Sequence, residues 1–353
     1  MIATLDQGEL LLELHSPAGR LRWIHGGRLE LHCNAKGAQL LEAYSEVKLD
    51  ELGGLCTNKG SRRLVPKVDY GSPIEDWSLM LVQVTRFSCG GLCVGTAMSH
   101  TVVDGWSVAK FFNAWTKLAR GDELEANEMP FHDRTILLSP EPLLPPRFEH
   151  IEKKANEIPH QDMEMVVDTT YSRYEAVASH LWRCICKARA SDNSQPTRVS
   201  VAVDIRSRLN PSLPAGYFGN ATLLTVTSNG YAAGKLREAI ERMTNEYVRS
   251  ALDFIAGQDD VSTLRGGFHI RAYTKTPNFL GNPNVSIGSW INFPFYGMDY
   301  GWGKPIYIGP GLLNDDGKSF IMSSPTADGS LLIALKIFYE SIDIDFIKAI
   351  SKI

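Results

Sequence analysis

Apolar residues recur along this chain at two alternating periods, and each period predicts an element. Residues 79–87 (Leu-Met-Leu-Val-Gln-Val-Thr-Arg-Phe) form an apolar run of strand length. Ser88-Cys-Gly-Gly91 follows as a turn, and residues 92–99 read as the returning strand of a hairpin. Beyond Gly105 the period changes. Val108, Phe111, Trp115 and Leu118 fall at helical spacing, and Arg120 with Gly121 makes the stop. From Asp122 to about His160 the sequence is charged and carries Pro140, Pro142, Pro145 and Pro146, which predicts an exposed crossover. A second half follows. Residues 174–189 predict a helix with Val177, Leu181, Trp182 and Ile185 along one side, and 199–205 a strand. Residues 235–251 predict one charged amphipathic helix, and 285–295 and 331–338 further strands. This is a mixed α/β chain in two halves, 1–158 and 159–353, with a cleft expected between them.

The length of 353 residues agrees with two domains, since single cores rarely grow so large. A formal charge of −4 gives no basic footprint for nucleic acid. The six cysteines (Cys33, Cys56, Cys89, Cys93, Cys184, Cys186) show no zinc spacing, so no metal is expected. Cys184-Ile-Cys186 reads as two reduced thiols on an apolar helix, because it lacks the CxxC spacing and a His partner. No apolar run approaches a bilayer span and no secretory signal is apparent, so a cytoplasmic monomer is the expectation.

The chemistry concentrates where the first hairpin meets its helix, at Met98-Ser-His-Thr-Val-Val-Asp-Gly-Trp106. His100 leaves the end of a strand, a rigid mount for a proton-transfer group. Asp104 stands four residues on, at a turn into the helix. A second marker is Tyr296-Gly-Met-Asp-Tyr-Gly-Trp-Gly-Lys-Pro305, whose glycines permit a tight backbone around an indole expected to be buried.

Together these two stretches resemble the plant BAHD acyltransferases, which move acyl groups from coenzyme A thioesters to hydroxyl or amine acceptors. Tyr300 stands where the family usually has Phe. Pro17-Ala-Gly-Arg-Leu21, His180-Leu-Trp-Arg-Cys184, Asp204-Ile-Arg-Ser-Arg-Leu209 and Gly216-Tyr-Phe-Gly-Asn220 extend the likeness over nearly the whole chain. The wording is most similar to hydroxycinnamoyltransferases of the spermidine type, with shikimate and quinate types next.

The resemblance implies a two-domain, chloramphenicol-acetyltransferase-like fold with the active site in a channel between domains. It implies no permanently bound cofactor, an acyl-coenzyme A co-substrate such as a hydroxycinnamoyl thioester, and His100 as general base. It gives Asp104 a supporting role, paired with an Arg. It places Tyr217, Phe218, Gly219 and Asn220 along the coenzyme A channel and Ser289, Trp290 and Asn292 in the substrate pocket. Asp299, Gly301, Trp302 and Gly303 form the second motif. Arg206 or Arg208 is expected to pair with Asp299, and Trp302 is either a packing residue or a donor to the oxyanion. Asn292 stands where shikimate-type relatives carry Arg. A carboxylate acceptor would lose its partner there, so the sequence favours a polyamine acceptor and phenolamide products.

Three departures accompany the likeness. Residues 1–16 stand in for a longer family segment, the crossover around Lys153–Glu157 is short, and the tail after Ala334 reads less like the family. They keep open a non-catalytic relative that binds acyl-coenzyme A. A peptide-synthetase condensation domain is a third reading, weakened by Ser99 where those domains have a second His.

Overall fold

The computed structural model describes residues 17–52, 61–150, 171–189, 197–228, 232–265, 281–313, 315–326 and 328–337. Residues 1–16, Cys56 and the 153–157 stretch lie outside the described residues, as does the boundary expected at 158.

A small hairpin, β1 (Arg20–Ile24) and β2 (Arg28–His32), comes first. Three residues, His25-Gly26-Gly27, turn it, and both glycines take left-handed φ, 69° and 64°, where glycine is favoured. β3 (Gln39–Ser45) lies parallel to β4 (Met80–Phe87), which pairs antiparallel with β5 (Leu92–Met98). The predicted hairpin is therefore present, with Met80 opposite Met98. Its apolar run is continuous because β4 is the central strand and is covered on both faces. Gly95 has a packing reason. A Cβ there would strike the carbonyl oxygen of Leu64, which is backbone and cannot rotate away. Gly95→Ala should cost about 1–3 kcal/mol by overpacking. Urea unfolding of the variant checks this, and an unchanged midpoint would show that the 64–65 segment yields freely.

α1 (Gly105–Ala119) buries Phe111 and Phe112 against β4 residues Met80 and Val82, with Val108 and Trp115 packed at the margin. In the second half, a five-stranded sheet has the order β10-β9-β8-β6-β7. Its strands are β6 (Arg198–Asp204), β7 (Thr222–Ser228), β8 (Val285–Trp290), β9 (Lys318–Ser323) and β10 (Leu331–Lys336). The inner pairs β6–β8 and β8–β9 are parallel, and both outer pairs are antiparallel. α2 (Arg173–Ala188) starts with a reciprocal cap between Ser172 and Glu175. It lays Leu181, Trp182 and Ile185 on Val199, Val201, Val285, Ile287 and Ile321. Leu181 and Ile185 are fully buried, each worth roughly 1.5–3 kcal/mol in removal from water. Cys184 and Cys186 sit on this helix, and burial pushes both thiols up.

Two element predictions need correction. The single helix expected over 235–251 is two, α3 (Ala232–Glu241) and α4 (Asn245–Ala256). Thr244 interrupts it by accepting from Tyr247 N–H as a new N-cap. The strand expected over 285–295 ends at Trp290, where the Phe293 N–H bonds the Trp290 carbonyl and turns the chain ahead of Pro294. The described part of the crossover, to His150, is largely exposed and irregular, with Phe131 bridged to Tyr217.

Candidate active site

The period-two pattern of the large sheet positions the site. Val199, Val201, Val285, Ile287 and Ile321 face the helices, so Ser200, Ser286, Lys318 and Phe320 face the other way. They line a cavity of about 1710 Å³, which is closed opposite by β5, the His100 loop and the start of α1. Trp106, Trp290, Phe293 and Phe320 give it an aromatic wall, with Trp290 and Phe320 at 4.7 Å between ring centroids. Gly288 lets that wall lie flat, since a Cβ there would strike the Phe320 ring.

His100 lines this cavity at the end of β5, and its side chain is open to it. Its backbone carbonyl accepts from Asn220 Nδ2 at 2.7 Å, so the loop is held while the ring stays accessible. The protein wall around the ring and the positive charge of Lys318 lower the His100 pKa below its ordinary value, outweighing the opposite pull of Asp104 and Asn220. A lowered pKa keeps the imidazole neutral, and hence able to accept a proton, further into mild acid. For an acceptor that does not itself titrate, kcat/KM should rise with pH to half its plateau below about pH 6.5, the value of a free His. A pH–rate profile tests this; a half-rise above that value would contradict the electrostatics described.

Asp104 holds the start of the helix. It is the N-cap of α1, accepting from Ser107 N–H at 2.9 Å. Arg206 approaches it bidentately, with Nη1 at 2.8 Å from Oδ2 and Nη2 at 3.0 Å from Oδ1. Ala221 N–H and Thr222 Oγ1 also donate to Oδ2, at 2.9 and 3.2 Å. Burial alone would raise this carboxyl, but Arg206 and the amide donors hold it below the usual carboxylate range. Ser107 Oγ adds a bond to the Gly219 carbonyl at 2.9 Å and receives Arg206 Nη2 at 2.9 Å. The start of α1 is thus fastened to residues 206 and 219–222 of the second half.

Several expected positions are corrected. Arg206 pairs with Asp104 rather than Asp299, and Arg208 donates to the Ile240 and Met243 carbonyls at 2.9 and 3.2 Å. Asp299 instead accepts from Gly301 and Gly303 N–H at 2.7 and 3.0 Å, while its carbonyl receives Arg120. Trp302 is not a buried indole. It is 65% exposed and stacks on Tyr300, because Gly301 and Gly303, with φ of 93° and 103°, swing the turn outward. Of the four residues expected along the coenzyme A channel, only Asn220 lines the cavity. Tyr217 and Phe218 are spent in cores, and Gly219 is buried holding Ser107 and Arg206 through its carbonyl. Ser289 and Trp290 line the cavity, but Asn292 does not; it is exposed on the turn that points Phe293 inward. Lys318 was not among the expected residues. The alternation in Lys-Ser-Phe-Ile-Met-Ser could have found it, since Ser319 and Ile321 are both fully buried on the opposite face.

The profile of the Transferase family matches residues 8–170 and 146–348. That match runs past Ala334, to residue 348. The hydroxycinnamoyl-CoA:piscidic acid hydroxycinnamoyltransferase of Actaea racemosa is 37% identical over 96% of this chain and 85% of its own length. The shikimate O-hydroxycinnamoyltransferase of Nicotiana tabacum is 36% identical over 93% and 82%. The crystal structure of vinorine synthase superposes with a TM-score of 0.68 at 20% identity, over 99% of this chain and 87% of that one. Sequence and fold therefore lead to one conclusion: the chain belongs to the BAHD transferase family and is an acyltransferase.

Proposed function

We propose that this chain transfers a hydroxycinnamoyl group from its coenzyme A thioester to the hydroxyl or amine of a small acceptor, with His100 as general base. The observation that carries this is His100 itself, an accessible imidazole on a fastened loop facing a large aromatic-walled cavity. The cavity exceeds the roughly 300–1,000 Å³ of a single-ligand site, so donor and acceptor fit together. Its aromatic rings suit a flat phenolic acyl group. His100 takes the acceptor proton as the nucleophile attacks the thioester carbonyl; the tetrahedral intermediate then collapses and the thiolate of coenzyme A leaves. His100 returns the proton to that thiolate. The relatives named above, both hydroxycinnamoyltransferases, support the donor class.

The acceptor divides on charge. The uncharged Asn292 favours spermidine in the sequence, but Asn292 lies outside the cavity lining. A polyamine also needs carboxylates; of those lining the cavity, Asp104, Asp204 and Asp299 are engaged by Arg206 or by backbone amides, which leaves Asp315, at the turn into β9, as the acid it would use. It would meet Lys318 as well, and like charges about 4 Å apart repel by roughly 4 kcal/mol at an effective dielectric near 20. A carboxylate-bearing acceptor, as in the shikimate and quinate reading, gains from Lys318 where a polyamine loses, and is repelled by Asp315 where a polyamine gains.

Product analysis tests the reading. The purified chain is incubated with coumaroyl-coenzyme A and either shikimate or spermidine, beside a His100→Ala control, and products are identified by mass spectrometry. New ester or amide that disappears in the control supports it. No product from a folded sample would sink it and favour the non-catalytic relative.

A further inference from the structure

We infer that Asn220 is a positioning residue for His100: reaching from the second half of the chain, its side-chain amide fixes the turn that carries the base. This rests on the hydroxycinnamoyl-transfer reading above. The turn from Ser99 to Asp104 is pinned at each end. Ser99 N–H donates to the Leu79 carbonyl at 2.8 Å, and Asp104 caps α1. Between these points the chain is neither strand nor helix, and the His100 carbonyl takes a bond from Asn220 Nδ2 at 2.7 Å, across 120 positions of sequence. Asn220 is itself held on both sides. The Gly219 carbonyl receives Ser107 Oγ and Arg206 Nη2 at 2.9 and 3.2 Å. Ala221 donates to Asp104 Oδ2 at 2.9 Å, and its carbonyl accepts from Ile205 N–H at 2.9 Å. Tyr217, Phe218 and Gly219, which precede Asn220, are buried away from the cavity, so this segment is frame rather than wall.

The direction of that carbonyl matters to the chemistry. It sets the peptide plane that leaves His100 and, with the end of β5 before it, the angle at which the Cα–Cβ bond presents the ring. A carbonyl in such a turn has no helical or ladder partner of its own and must find a donor elsewhere. Asn suits the place, being short, planar at its amide and a donor of defined direction. A general base works only with its nitrogen about 2.6–3.2 Å from the atom that gives up the proton. A misplacement near 1 Å can cost about 100-fold in rate. The bond from Asn220 thus carries the rigidity of the Asp104–Arg206 frame to the base. Sequence likeness instead puts Asn220 on coenzyme A. The two roles separate in kinetics, because a contact to the thioester shows in its KM and the placement of the base shows in kcat.

The test measures steady-state kinetics with coumaroyl-coenzyme A and whichever of shikimate and spermidine the wild-type chain acylates. Asn220→Leu keeps the bulk of the side chain and removes the donor, and Asn220→Ala removes both. Each should lower kcat by roughly 10- to 100-fold and leave the KM of the thioester within about twofold. Each is then combined with His100→Ala. With the base gone there is nothing left to place, so the added loss should be less than about threefold, the non-additivity of residues that act as one unit. A thioester KM that rises while kcat holds would make Asn220 a coenzyme A contact and overturn the inference. A full further loss on top of His100→Ala overturns it too, giving Asn220 a task of its own such as holding the oxyanion. So does an unchanged kcat in both single variants. So does a loss of kcat that disappears on cooling together with a lowered melting temperature, which would make Asn220 a structural tie alone. Each of these leaves hydroxycinnamoyl transfer intact. Transfer to neither acceptor by the folded wild-type chain overturns both the inference and the reading beneath it.

Discussion

Replacing His100 by Ala lowers kcat for hydroxycinnamoyl transfer by about 100- to 10,000-fold, the usual contribution of a positioned general base. That corresponds to roughly 3–5 kcal/mol of lost transition-state stabilisation. The loss should fall on kcat rather than KM, because the ring gives up an interaction made only as the acceptor loses its proton. Folding should be nearly untouched. The ring faces the cavity, and one contact that holds this loop is made by the backbone carbonyl of residue 100 to Asn220, which Ala retains. Steady-state kinetics with a matched thermal melt separates the two effects. Should the variant keep more than a tenth of the wild-type kcat, the base is another group in the cavity. Should it melt far below the wild type, the loss of rate would report a damaged loop instead.

The elements around this residue are legible in the sequence because local signals there agree with the tertiary result. The apolar run of β4, the glycine turn and the change to helical period after Gly105 all point the same way. Where a tertiary choice decides, periodicity does not reach. The helical period continues through residues 235–251, yet the Thr244 hydroxyl caps a new helix there, an event set by a single hydrogen bond. Asn292 and Phe293 are neighbours at a turn, and only the turn's geometry sends one outward and the other into the cavity. Trp302 looks like a core residue from its glycine neighbours, but those glycines adopt the left-handed backbone that carries it outward. Tyr217 and Phe218 adjoin Gly219 and Asn220 in the motif, but their rings fill cores, and the Tyr217 carbonyl accepts from Ser107 Oγ at the start of α1. The absence of a cation at Asn292 is visible in one line of sequence, whereas Lys318 and His100 share a cavity only because β9 and β5 both line it.

Asp104→Asn is the variant with the largest expected effect on folding. Asn is an accepted N-cap, so α1 keeps its start and the substitution removes little besides charge. What it strands is Arg206. This guanidinium is largely buried, and its other carboxylate, Asp204, is 48% exposed and 3.1 Å away. Breaking a buried pair from one side typically costs about 3–5 kcal/mol, a large part of the 5–15 kcal/mol that holds most proteins folded. The pH dependence has a definite sign. Because the folded carboxyl sits below its ordinary value of about 3.9, its contribution is complete above that pH and is lost as pH falls through the folded value. The gap in urea midpoint between wild type and variant should therefore be widest near neutrality and close in strong acid. Adding Arg206→Met should recover part of the loss, since two absent charges are cheaper than one buried alone. Activity measured well below the melting range should survive in the single variant better than in His100→Ala, because the base is still present. A chain that folds with less than about 1 kcal/mol lost, yet is as inactive as His100→Ala, would place Asp104 in the proton path. Its oxygens are already engaged by Arg206, Ser107, Ala221 and Thr222, which leaves the frame of the site as what Asp104 builds.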